Sequence, residues 1–157
     1  MEKQFMTFSI DDGMYGVNIL GIKEINYSQR FTSVPLSAEH LVGLLNLRGQ
    51  IVTVLDMSVP LGYKQREIHD ESSLLIMKTT MELSHVARKH GIQTHKDTVG
   101  FIVDRIGDVI SCEEKEIEPV PAHMDAEVSK YLEGVVKRDD ALVGIVAVPE
   151  LLKFAGV

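Results

Sequence analysis

The feature that most constrains the fold is the stretch Leu41–Met57, which reads LVGLLNLRGQIVTVLDM. Two apolar runs, Leu41–Leu47 and Gln50–Met57, are separated only by Arg48 and Gly49. Each run has the length of a β-strand, and a two-residue connection is typical of a tight hairpin. Glycine adopts positive φ angles at little steric cost, so Gly49 lets the chain reverse. The stretch therefore predicts a β-hairpin with Arg48 at its turn.

Length, charge and cysteine content narrow the class of protein. The 157 residues predict one domain or two small intertwined subdomains, and the formal net charge of −7 argues against a nucleic-acid binder. Cys112 is the only cysteine in the sequence, which excludes an intrachain disulfide and fits a reducing cytoplasm. Met1–Ile10 lacks the continuous apolar core of a signal peptide, and Leu142–Val148 is far shorter than the roughly 18–20 residues that span a bilayer. We expect a cytoplasmic protein that reaches a membrane only through a partner.

Short strands dominate the rest of the chain. Turn residues at Asp11–Gly13 and at Asp139-Asp140 predict two further hairpins. Ser73–Thr79 predicts a strand, and Val99–Ile110 predicts a longer one with a bend or bulge at Gly107. Many short strands with frequent turns are typical of an all-β barrel or sandwich.

Three places favour helical structure. Ile19, Ile22 and Ile25 recur every three residues, which suits a short helical turn. In Thr79–Gly91, Thr79 and Glu82 have the spacing of a capping box, Leu83, Val86, Ala87 and His90 share one helical face, and Gly91 stands where a helix ends. Pro149–Phe154 predicts a short C-terminal helix that begins with proline.

Five segments, taken in order, resemble the CheW-type coupling proteins of bacterial chemotaxis, the CheW-like domain family. They are Phe8–Val17, Thr32–Pro35, the hairpin with its central NLRG at 46–49, Val99–Arg105 and Tyr131–Arg138. The resemblance covers nearly the whole chain. It implies an all-β fold of two intertwined five-stranded SH3-like barrels, with one helical insert near 80–90 and a short C-terminal helix. The single domain, 1–157, would place the first barrel at about 14–66, the second at about 73–148 with terminal strands exchanged, and the helix at 149–157.

The resemblance also implies a function and its partners. Proteins of this family have no catalytic activity and need no cofactor or metal. They bridge the cytoplasmic tips of chemoreceptors, the methyl-accepting chemotaxis proteins, to the regulatory domain of the histidine kinase CheA. This chain would therefore be a cytoplasmic adaptor that is recruited to membrane receptor arrays.

Carried over residue by residue, the resemblance implies two contact regions. The receptor-binding groove would be lined by Met6, Ile19, Ile22, Ile25 and Ile106. Arg48 would lie where kinase and receptor meet, with Val34 and Leu44 near the kinase-facing surface. The residues alone leave both readings open, because isoleucine is among the most buried residue types and a turn arginine is by default an ordinary surface residue.

Two departures from the family pattern stand out. The segment 79–97 is longer than the connection common in the family, and whether it adds a contact or blocks one stays open. The last strand ends in Ala147-Val148-Pro149, where family members often carry an acidic residue.

Two other functions compete with the adaptor. The first is a small histidine-dependent metal protein that uses His85, His90 and His95, although a five-residue spacing points helical side chains apart and structural zinc normally needs four ligands. The second is a peptide-binding β-barrel, unrelated to chemotaxis, that recognises extended segments by strand addition. Because the sequence has no G-x-S-x-G, P-loop or H-E-x-x-H motif, we do not expect an enzyme.

Overall fold

The computed structural model describes residues 2–27, 32–33, 41–64 and 72–156. Val34, which the resemblance places near the kinase-facing surface, lies outside the described residues. The strands are β1 (Glu2–Ile10), β2 (Gly13–Asn18), β3 (Ile22–Asn26), β4 (Thr32–Ser33), β5 (Leu41–Leu47), β6 (Gln50–Asp56), β7 (Ser73–Met77), β8 (Val99–Val103), β9 (Arg105–Glu113), β10 (Leu132–Arg138) and β11 (Ala141–Val146). The α-helices are α1 (His85–Lys89), α2 (Ala126–Ser129) and α3 (Val148–Ala155).

The strands form two sheets, which confirms the predicted all-β class. The first sheet has five strands in the order β10-β11-β2-β1-β9, and the second has the order β3-β7-β8-β6-β5-β4. Neighbours are antiparallel except for β11 with β2 and β6 with β8. The second sheet has six strands rather than five because the two-residue β4 pairs at its edge with β5.

Each sheet takes strands from both halves of the chain. β1 and β2 pair in the sheet of β9, β10 and β11, while β7 and β8 pair with β3 and β6. Strand pairing therefore groups residues differently from the predicted ranges of about 14–66 and 73–148. Hydrophobic periodicity identifies strands but carries no information on long-range partners, which is why the predicted ranges and the sheets differ.

The backbone passes between the sheets twice, with little connecting chain. A 3₁₀ turn, Ile19–Gly21, leads from β2 to β3, and Asp104 alone separates β8 from β9. The amide of Asp104 donates to the carbonyl of Ser9 at 3.1 Å, and its carboxylate accepts from the amide of Asp11 at 2.6 Å. The single strand predicted over Val99–Ile110 is thus two strands that lie in different sheets.

A β-bulge lies at Gly107, as predicted. The pairing of β1 with β9 shifts register between Met6 and Phe8, where Gly107 and Asp108 lie opposite Thr7. The Thr7 hydroxyl donates to the Asp108 carbonyl at 2.5 Å. A Cβ atom on residue 107 would lie 2.6 Å from that hydroxyl oxygen, so the bulge needs glycine there.

Alternation along the central strands creates three hydrophobic clusters. In β7, Leu75 and Met77 face a main core between the sheets, whereas Leu74 and Ile76 face a second cluster inside the six-stranded sheet. A third cluster, which includes Phe5 and Cys112, lies inside the five-stranded sheet. β7 is therefore buried on both faces, which explains why its sequence is apolar without interruption.

The edges of the five-stranded sheet approach each other without forming a full ladder. Arg138 on β10 donates to the carbonyl of Ser111 on β9 at 2.6 Å. Glu118, which follows β9, forms an isolated bridge with Val135 on β10. The sheet therefore curls towards a barrel around its own cluster, in keeping with the predicted SH3-like fold.

The predicted helix over Thr79–Gly91 is wrong in its extent. The capping box forms, with the Thr79 amide donating to Glu82 at 2.9 Å, but it caps only a 3₁₀ turn, Thr80–Glu82. The Ser84 side chain accepts from the Ala87 amide at 3.0 Å and starts α1. Two competing N-caps within five positions split the segment into two short pieces.

The other two helical predictions have different outcomes. The three-residue spacing of Ile19, Ile22 and Ile25 yields only the 3₁₀ turn at Ile19, because β3 pairs with β7 and holds the two later isoleucines in a strand. The C-terminal helix is confirmed as α3, and Gly156 ends it with a φ of 75°. Within the described residues, no helix is long and apolar enough to cross a membrane.

Candidate functional site

The central hairpin forms as predicted. β5 and β6 are antiparallel, with Leu47 opposite Gln50, so Arg48 and Gly49 are the whole loop. Their φ angles are 52° and 85°, the positive values of a type I′ turn. The Asn46 side chain accepts from the Gly49 amide at 3.0 Å. The turn thus holds Arg48 outward, with 69% of its side chain exposed.

Two charged residues on β3 contact this hairpin and the segment of residues 79–97, which we call the insert. The Arg48 guanidinium donates to the Glu24 carboxylate at 2.5 Å. Lys23 Nζ lies 3.2 Å from Gln50 Oε1 and 2.6 Å from Glu82 Oε2. The ammonium of Lys23 lowers the pKa of Glu82. Because exposed ion pairs contribute only about 0–1 kcal/mol, these contacts add little stability, but they show that β3 lies close to the hairpin and to residues 79–97.

The apolar residues predicted to line a groove are all half-buried. Ile22 and Ile25 project from β3 opposite Met77 and Leu75, at the margin of the main core. Met6 on β1 and Ile106 on β9 pack against the same core from the five-stranded sheet, and Ile19 is half-buried in the 3₁₀ turn. Met6, Ile22, Ile25 and Ile106 therefore have both a core-facing and an accessible surface. Their role in binding a receptor stays a prediction.

Leu44 lies on the outer face of the hairpin. It is 39% exposed and opposite Thr53, whereas its neighbour Leu45 is buried in the second cluster. Sequence reasoning missed Ile51, an exposed apolar residue opposite Asn46. The sequence could have predicted this exposure. Side chains alternate along a strand, so residue 51 faces outward if Val52 and Val54 face inward.

The insert creates a recess that the sequence did not reveal. The cavity, about 200 Å³, lies between the 3₁₀ turn of Ile19 and helix α1. The predicted single helical face of Leu83, Val86, Ala87 and His90 does not form, because Leu83 precedes α1 and Ala87 is buried while Val86 is 51% exposed and lines this recess. In α1 the buried anchor is Ala87.

A larger cavity, about 270 Å³, adjoins this recess and shares Lys3, Asn18 and His90 with it. Its walls include His90, Ile92 and Gln93 from the insert, and Phe5 and Val17 from the five-stranded sheet. It is distinct from the predicted groove, since none of the five predicted groove residues lines it.

The three histidines considered for metal binding have separate surroundings. His85 is exposed, and His95 accepts from the Asp97 amide at 2.9 Å. Nδ1 of His90 is buried and has no hydrogen-bond partner within the described part of the chain. Among those residues, no three His, Cys, Asp or Glu side chains are grouped so that they could hold a metal ion.

Comparison with known proteins identifies the family. The family model described as the CheW-like domain matches residues 4–155. The chain is 28% identical to "Chemotaxis protein CheW" of Helicobacter pylori over 151 residues, which is 96% of this chain and 81% of that protein. It is also 28% identical to "Chemotaxis protein CheW" of Bacillus subtilis over 145 residues, covering 92% and 83% of the two chains.

A solved structure agrees. The scaffolding protein TtCheW from Thermoanaerobacter tengcongensis is 27% identical and superposes with a TM-score of 0.76, covering 96% of this chain and 88% of that one. The match of sequence and fold extends over both sheets and the central hairpin. This chain therefore belongs to the CheW-like domain family.

Proposed function

We propose that this protein is a non-catalytic adaptor that couples the cytoplasmic tips of chemoreceptors to the histidine kinase CheA. The observation that carries the proposal is the CheW-like match over residues 4–155, joined to relatives named as chemotaxis and scaffolding proteins. The adaptor is cytoplasmic and joins membrane receptor arrays through its partners.

The half-buried isoleucines support the receptor-binding part of the proposal. Full burial of an isoleucine is worth about 1.5–3 kcal/mol, and at most about a third of that remains for Ile19, Ile22, Ile25 and Ile106. Their sum, at most about 2–4 kcal/mol, does not exceed the lower end of the roughly 4–15 kcal/mol that association costs. One adaptor therefore binds one receptor weakly, and the many contacts of an array supply the avidity.

The outward hairpin supports the coupling part. Arg48 and Leu44 are exposed on neighbouring parts of it, and an arginine beside an apolar residue is a common composition for an interface anchor. The resemblance adds Val34 to this kinase-facing surface. The ion pair of Arg48 with Glu24 places this surface next to β3, which carries Ile22 and Ile25. A receptor seated on β3 and a kinase on the hairpin are then held in fixed relative positions.

A reconstituted ternary assembly tests the proposal. Purified protein is mixed with CheA and a soluble receptor fragment, and kinase activity and co-sedimentation are measured. We expect an Ile22→Glu variant to lose receptor binding and to keep kinase binding. Leu142→Glu, which changes an exposed apolar residue on β11 outside the predicted groove, is the control and keeps both. A wild-type protein that ignores both partners would refute the adaptor.

A further inference from the structure

The insert, residues 79–97, is tied firmly to the 3₁₀ turn and to β3. Just before it, the Lys78 amide donates to the Gly21 carbonyl at 2.8 Å, and Glu82 forms its ion pair with Lys23. Its two ends meet where the Thr80 amide donates to the His95 carbonyl at 2.9 Å. A Cβ atom on residue 21 would lie only 3.2–3.3 Å from side-chain carbons of Met77 and Ile92, so the packing there is close. The insert is thus a fixed wall beside this turn.

That wall extends the predicted receptor groove. Ile19 belongs both to the predicted groove and to the recess of about 200 Å³. Val86 lines this recess from α1, and His90, one helical turn later, lines it as well. The apolar surface therefore continues from Ile19 onto the insert.

Two lysines lie at or beside the recess in a protein whose net charge is negative. The whole chain has 23 acidic and 16 basic residues. At the recess, Lys3 is a lining residue, and Lys89, three positions after Val86, lies on the same side of α1. Glu2 also lines the recess, and Lys3 lies 3.8 Å from Glu114, so the positive charge there is partly compensated.

We propose that the insert is a specificity-determining wall of the receptor site. The recess between Ile19 and Val86 accepts an apolar side chain of a chemoreceptor helix, and Lys3 and Lys89 pair with carboxylates that flank it on that helix. This inference rests on the adaptor function proposed above. It means that the adaptor prefers receptors whose tip helices present an acidic and apolar pattern at this point.

Two matched variants of the insert test the apolar contact. Val86→Glu places a charge in the recess, whereas Met81→Glu changes a residue of the same insert that is 85% exposed and does not line it. The probe is a soluble cytoplasmic hairpin fragment of a chemoreceptor from the same genome. We expect Val86→Glu to weaken its binding at least about tenfold, as for an interface hot spot, and Met81→Glu to change it by less than about twofold. Thermal melting and kinase binding of both variants should match the wild type.

The result distinguishes failure of this inference from failure of the proposed function. If Ile22→Glu abolishes binding while Val86→Glu binds like the wild type, the insert is not part of the site and the adaptor function stands. If the unmodified protein binds neither the receptor fragment nor the kinase, the adaptor function itself fails.

A double-mutant cycle tests the charges. Lys3 and Lys89 are changed together to glutamine, and the acidic residues at the fragment's tip are changed to amides. We expect each change alone to weaken binding about threefold or more, and the combination to be less than multiplicative, because the pairs are already lost. Strictly multiplicative effects would overturn the charge pairing. The salt dependence of binding should also be steeper for the wild type than for the lysine variant.

Discussion

The guanidinium of Arg48 lies 2.5 Å from the carboxylate of Glu24, so the turn of the central hairpin contacts the strand that carries Ile22 and Ile25. The strand order of the six-stranded sheet puts β3 at one edge, with β7, β8 and β6 between it and β5. The ion pair therefore joins parts of the sheet that share no hydrogen-bonded ladder. It also places the proposed kinase-facing hairpin directly beside the proposed receptor groove.

Replacing Arg48 should separate coupling from stability. We expect Arg48→Glu to leave the melting temperature nearly unchanged, because an exposed ion pair contributes about 0–1 kcal/mol, and to abolish receptor control of kinase activity. The measurement is thermal unfolding combined with a reconstituted kinase assay. The charge swap with Glu24→Arg is the control, since it restores the intramolecular pair. A swap that also restored coupling would mean that Arg48 only positions the hairpin and contacts no partner.

Mutations of core residues should mainly lower folding stability, whereas mutations of the predicted groove residues should mainly weaken receptor binding. Phe101 is 2% exposed in the main core, so Phe101→Ala should lower the free energy of unfolding by about 3–5 kcal/mol. Ile22→Ala should cost less than about 2 kcal/mol, because its side chain is only half-buried, and should weaken receptor binding severalfold. Chemical denaturation and titration of a receptor fragment measure the two effects. Equal stability losses, with unchanged receptor binding for Ile22→Ala, would make Ile22 an ordinary core residue.

The ion pair of Glu82 with Lys23 should appear in the pH dependence of stability. Lys23 lowers the pKa of Glu82 below 4.5, so folding favours the ionised carboxylate. Its contribution is complete above pH 4.5 and is lost as the pH falls through the lowered folded-state pKa. Glu82→Gln should therefore lower stability at pH 7 by at most about 1 kcal/mol, since the pair is partly exposed, and this difference should vanish in acid. Denaturant titrations from pH 7 to pH 3 check this, with Glu127→Gln at an exposed pair as control.

The turn of the central hairpin should tolerate residues according to their backbone preference. Gly49 has a φ of 85°, and no atom lies within 4 Å of a Cβ built there, so space is not limiting. Gly49→Val should destabilise by about 1–2 kcal/mol, the cost of a left-handed conformation, whereas Gly49→Asn should cost clearly less because asparagine adopts such angles more readily. Equal losses for the two variants in thermal unfolding would show that backbone strain is not the cause.

Local signals in the sequence predicted local structure well. The pair Arg48-Gly49 between two apolar runs determines its own hairpin, and Gly107 marks a bulge because no larger residue fits beside Thr7. The extent of α1 was not predictable in the same way. The capping box at Thr79 is real, but Ser84 offers a second start, and only packing decides between them.

The sequence pattern could not predict which residues far apart in the chain lie close together in the fold. Nothing in Val99–Ile110 indicates that the chain changes sheets at Asp104, because residues on both sides have strand-like composition. The recess at Val86 depends on contact between the insert and Ile19, which are far apart in sequence. The predicted groove residues come from the resemblance to a family, and the structure adds that they are half-buried.

The two short passages between the sheets, Ile19–Gly21 and Asp104, have a mechanical consequence. Both connections are short, and both sheets pack against the main hydrophobic core. We therefore expect the two sheets to move together as a rigid body, because neither connection between them is long enough to act as a flexible hinge. In the adaptor function proposed above, a displacement of the receptor tip would therefore be transmitted to the kinase by movement of the whole molecule.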